Sequence, residues 1–117
     1  MSTDDLLTNL REVVISRSYI VRLEIMDQSV HMLKARLFIN PDLFIQVYRN
    51  EMFDTTNYAL VYNSQRIYAR DQLGGKWHRH NLSNPKLHDK SEEGRKAISL
   101  PEFLDEVEMI LTKLDLP

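Results

Sequence analysis

The chain has 117 residues, 43% hydrophobic and 27% charged, with a net charge of −2. That is enough for one core but not two, so a single globular domain spanning 1–117 is expected rather than a disordered segment. The lack of cysteine excludes a disulfide framework, a thiol nucleophile and thiolate zinc sites, and so small a net charge gives no overall push toward nucleic acid.

Asp4 and Asp5 precede the first apolar residues, whereas an export signal needs a basic start. No apolar run approaches the ~20 residues that span a bilayer. A cytoplasmic protein without membrane association is expected. A first helix is predicted from about Thr3, capped by Ser2 or Thr3, with Leu6, Leu7, Leu10, Val13 and Val14 on one face. From Tyr19 the pattern turns to alternation, with Tyr19, Val21, Leu23 and Ile25 on one side of a strand and Asp27-Gln28-Ser29 as its turn.

A second strand follows, with His31, Leu33, Ala35, Leu37 and Ile39 on one face. His31 reads there as a hydrogen-bonded packing residue. Asn40-Pro41-Asp42 interrupts, because proline cannot donate to a ladder. Leu43 to Glu51 is the third strand and Asp54 to Asn57 a connection. Tyr58, Leu60 and Tyr62 share a face of the fourth. Asn63-Ser64 is a tight hairpin turn into Arg66 to Arg70, the fifth strand, which Gly74-Gly75 ends.

Trp77 to His80 is a short sixth strand, and 81–98 a polar excursion of a length that is usually functional or mobile. Ser99-Leu100-Pro101-Glu102 matches a capping box, and Leu100, Phe103, Leu104, Val107, Ile110, Leu111 and Leu114 then trace one helical stripe. The predicted class is α+β: an antiparallel β-meander of five to six strands flanked by an N-terminal and a C-terminal helix.

Charge is segregated along the chain. Residues 66–98 hold eight basic side chains against four acidic, whereas 99–117 hold five acidic and one lysine. The basic part either faces an anionic partner or is neutralised by the acidic part within the fold. Three of the four histidines and the only tryptophan lie in the basic part.

In a strand, His78 and His80 point to the same side. They could be acid and base for ribose 2′-OH attack on a neighbouring phosphate, since imidazole titrates near neutrality. Arg70 or Arg79 would hold the phosphate with a planar fork. Tyr68, two residues before Arg70 on the same strand face, would donate a hydrogen bond to it, and Trp77 would stack a base. No cofactor is needed for that chemistry. Alternatively the same histidines are metal ligands, His78 and His80 with His88, or Asp89, as the third. In a further alternative there is no catalysis, and the sheet edge or the 81–98 excursion binds another protein.

Tyr58-Ala59-Leu60-Val61-Tyr62, Arg66-Ile67-Tyr68, Asp71, Gly74-Gly75, Trp77-His78-Arg79-His80, Pro85, His88-Asp89 and the closing Ser99 to Leu104 segment together resemble a group of small prokaryotic proteins similar to the TumE family. TumE is the proposed toxin half of TumE/TumA toxin–antitoxin pairs. The resemblance implies a small α+β domain, a protein antitoxin partner and an RNA target. It carries over Tyr68, Arg70, Asp71, His78, His80 and His88 as candidate site residues. The chain departs from the family pattern in having Gln72 after Asp71 and histidines spaced as His78-Arg79-His80 with a lone His88.

Overall fold

The structure, a computed structural model, describes residues 1–84 and 86–116. Pro85, one of the residues that carries the resemblance, lies outside them. The order is α1 (Thr3–Ser16), β1 (Arg22–Gln28), β2 (Met32–Asn40), β3 (Leu43–Asn50), β4 (Thr55–Tyr62), β5 (Gln65–Leu73), β6 (Lys76–His80) and α2 (Leu100–Lys113). The six strands form one antiparallel sheet in sequence order, so the predicted α+β meander between two helices is the observed fold. No helix among the described residues is long and apolar enough to cross a membrane.

Turn chemistry sets the registers. Asn63 and Ser64 both have positive φ (50° and 66°), as do Gly74 and Gly75 (56° and 82°). Two successive left-handed residues match the twist of a two-residue hairpin. Both helices begin as their residues dictate: Ser2 Oγ accepts from Asp5 N, and Ser99 with Glu102 completes a reciprocal capping box.

One sheet face is apolar. Leu33, Ala35, Leu37, Ile45, Val47, Tyr58, Leu60 and Tyr68 meet Leu6, Leu10 and Val13 of α1 and Leu100, Phe103, Leu104 and Val107 of α2 in a single core. Helix α1 lies against β1, β2 and β3, and α2 against β4. Because side chains alternate along a strand, the intervening residues face the other way. Lys34, Arg36, Phe44, Gln46, Tyr48 and Asn57 are half-buried on a face that no described helix covers.

Three local expectations are corrected. Ile20, not Val21, is buried (5% against 70% exposed), because the chain enters β1 only at Arg22 and the strand alternation does not reach back to Tyr19. The connection before β4 is 51–54, and Asn57 is already inside the strand. His31 is hydrogen-bonded, to Glu51 at 3.2 Å, but it precedes β2 and is exposed, so it is a surface residue rather than a packing one.

Candidate functional site

The β5–β6 hairpin pairs Asp71 with His78 and Ala69 with His80. Strand alternation then puts Asp71, His78 and His80 together on the helix-free face, with the small Ala69 between them. Asp71 Oδ2 lies 3.5 Å from His78 Nε2 and 3.3 Å from His80 Nε2. Its other carboxylate oxygen accepts from Asn57 Nδ2, directly across the ladder on β4. One carboxylate therefore serves two imidazoles while an amide holds it in place. Both rings are buried (7% and 3% exposed).

His88 joins them from the excursion. Asp89 makes an isolated antiparallel bridge with Arg79, whose N and O exchange hydrogen bonds of 3.2 and 2.6 Å with the Asp89 backbone. Asp89 Oδ2 also accepts from Arg79 Nε (2.9 Å), Arg79 Nη2 (2.7 Å) and Asn81 Nδ2 (2.8 Å). These donors, with Ser91 above all, hold the Asp89 carboxyl well below the usual carboxylate range. With Asp89 pinned opposite Arg79, its neighbour His88 falls on the histidine face. The His88 ring stacks on His78 (centroids 4.3 Å apart) and meets His80 edge-on at 4.6 Å.

The remaining sequence candidates lie on the other side of the sheet. Arg70, 1% exposed, donates from Nε and Nη2 to the two oxygens of Glu106 (3.0 and 2.6 Å) and from Nη1 to the Glu93 carbonyl (2.7 Å). Tyr68 donates to the same Glu106 at 2.7 Å. Burial first, and then that bond, pushes the Tyr68 pKa up to about 12. Tyr68 and Arg70 do share a strand face, as expected, but it is the helix-bearing one, remote from the histidine cluster. Trp77 packs near Tyr58 (centroids 6.1 Å apart) and is a packing residue there. The basic and acidic segments meet in this Arg70–Glu106 pair, so part of the segregated charge is indeed neutralised within the fold.

A cation whose side chain reaches the histidines is Arg66. An extra residue in β5 opposite Leu60-Val61 breaks the alternation and turns Arg66 to the helix-free side. Its guanidinium lies 3.8 Å from Asp71 Oδ2 and 3.4 Å from His80 Nδ1. Arginine only donates, so in that contact His80 Nδ1 is the acceptor. A groove of about 490 Å³ lined by Gln65, Arg66, Ile67 and Lys86 adjoins the cluster. Farther along the face, Arg22 covers the Phe38 ring at 4.2 Å and Arg36 the Phe44 ring at 4.6 Å.

Burial pulls the His78 pKa below the ordinary imidazole value. Asp71 opposes the drop, while His88, His80 and Lys90 add to it. The unfolded chain then takes up this proton more readily than the folded one. The stabilisation is complete above about pH 6.5 and is lost as pH falls below it. Melting temperatures of the wild type should therefore fall more steeply from about pH 7 to about pH 5 than those of His78→Gln. Equal slopes would remove His78 as the titrating group.

Comparison with family models, curated proteins and solved structures finds no match to this chain.

Proposed function

We propose that this protein is a toxin-type ribonuclease, TumE-like and metal-independent in its chemistry, with His78 and His80 as its acid–base pair. The observation that supports it best is one carboxylate, Asp71, within 3.5 Å of Nε2 of both imidazoles on the helix-free face. Farther along the same face stand Arg22 on Phe38 and Arg36 on Phe44, the kind of groups that an extended single strand uses for phosphate contacts and stacking.

In the reaction, His78, which burial keeps toward the neutral form, takes the 2′-OH proton as the 2′ oxygen attacks the adjacent phosphorus. The P–O5′ bond breaks, and the departing O5′ takes a proton from His80. The products are a 2′,3′-cyclic phosphate and a 5′-OH end. Arg66, whose side chain is 41% exposed, has long contacts with Asp71 and His80 and can turn to the phosphate. Arg66 thus takes the phosphate-holding role expected of Arg70 or Arg79. General acid–base transfer of this kind contributes about 10²–10⁴-fold. The natural partner is an acidic protein antitoxin covering the basic 66–98 segment, by electrostatic complementarity.

Induced expression in a host cell tests this, with the wild type beside His78→Ala/His80→Ala and folding of both checked by circular dichroism. Growth arrest and RNA degradation are expected from the wild type alone. If both chains leave growth and RNA intact, catalysis is excluded and the helix-free face becomes a protein-docking surface.

A further inference from the structure

We infer that His78, His80 and His88, with Asp71, bind one first-row transition-metal ion of the zinc class. Ring nitrogens from the three histidines all lie within 4.8 Å of one another. Four ligands placed tetrahedrally about zinc at about 2.0–2.1 Å stand about 3.4 Å apart. Asp71 Oδ2 is already at that spacing from two of them, 3.5 Å from His78 Nε2 and 3.3 Å from His80 Nε2. His88 is the exposed member of the cluster and the one that would close on an ion held by the other ligands.

The donor set selects the class of ion. Magnesium and calcium take oxygen ligands, whereas three imidazoles with one carboxylate suit zinc, cobalt, nickel or copper. Preorganisation favours binding as well. His78 and His80 are fixed by one strand, Asp71 by the ladder and by Asn57 Nδ2, and His88 by the Arg79–Asp89 bridge. Outer contacts of this kind orient ligands, and their loss typically costs 10–100-fold in metal affinity.

The site stands on this geometry and does not require cleavage. If the chain does cleave RNA, a bound ion would occupy the lone pairs that proton transfer needs, and zinc would act as an inhibitor.

Titration calorimetry of the EDTA-stripped full chain with Zn²⁺, and visible absorption after Co²⁺ addition, test the inference. One equivalent of Zn²⁺ and the intense visible bands of tetrahedral cobalt are expected. His88→Ala and Asp71→Asn should weaken binding at least tenfold, while His31→Ala, four strands away, leaves it unchanged. His88 is exposed, so its variant keeps the test valid even where a buried-histidine variant fails to fold. No saturable binding, weak multiple equivalents with only faint cobalt bands, or an affinity indifferent to His88→Ala would overturn it. Growth arrest and RNA integrity move independently of these readouts, so failure of the metal site and failure of the cleavage reading are distinguishable.

Discussion

Glu106→Ala should destabilise the fold by about 3–5 kcal/mol, the range for breaking a buried ion pair from one side. The Arg70 side chain is 1% exposed and its guanidinium is satisfied by Glu106 through two parallel bonds, with the Glu93 carbonyl as third acceptor. Removing Glu106 leaves a cation that is costly to bury and takes away the acceptor of the Tyr68 hydroxyl as well. Glu106 itself is 26% exposed, so solvent screens part of the loss and the lower end of the range is expected. The double variant Arg70→Met/Glu106→Leu should recover most of the loss, because an apolar pair of similar volume needs no desolvated charge. Urea unfolding of the two single variants and the double closes the cycle. A single-variant cost below about 1 kcal/mol would show that the pair is solvated rather than buried. The folded double variant should also keep any RNA cleavage and zinc binding. Arg70 and Tyr68 would then be structural despite lying in the stretch that carries the resemblance.

The role of Arg70 also shows where sequence reasoning reaches its limit. Features governed by neighbouring residues were legible: the capping box at Ser99, the stripe of α2, the hairpin at Asn63-Ser64 and the break at Gly74-Gly75. The shared face of His78 and His80 follows from strand alternation alone. What was not legible depends on distant partners or on one extra residue. Glu106, 36 positions from Arg70, leaves no local mark on β5. The bulge opposite Leu60-Val61 reverses the face of Arg66 while Tyr68 and Arg70 keep theirs, and no residue type announces it. Asp71 was readable as a candidate, but its holder Asn57 was not, because that pairing requires the β4–β5 register. His88 could be suspected from its chemistry. The bridge that delivers it, Asp89 to Arg79, is made by the backbone of a segment with no periodicity.

That bridge has a weak point at Gly94. Its φ is not in the left-handed region, so the requirement there is space. A Cβ on Gly94 would stand 2.3 Å from the Asp89 carbonyl oxygen, 3.1 Å from its carbon and 3.0 Å from Asp89 Cγ. Two of those atoms are backbone, and the oxygen also accepts from Arg79 N at 3.2 Å. Gly94→Ala must therefore displace 89 or 94 and disturb the bridge between 89 and 79, at about 1–3 kcal/mol for overpacking. The excursion lies outside the six-stranded sheet, so the loss should appear mainly in the placement of His88 rather than in global unfolding. Zinc affinity should fall at least tenfold, as for His88→Ala. Gly74→Ala is the control. It sits at φ +56 with nothing within 4 Å of an added Cβ, so it carries about 1–2 kcal/mol of left-handed strain and no clash near the histidines. Its zinc titration should match the wild type. Were Gly94→Ala to bind zinc as tightly as Gly74→Ala, close packing of 94 against 89 would not be what holds His88, and the backbone bridge with the side-chain clamp of Arg79 and Asn81 on Asp89 would carry that role.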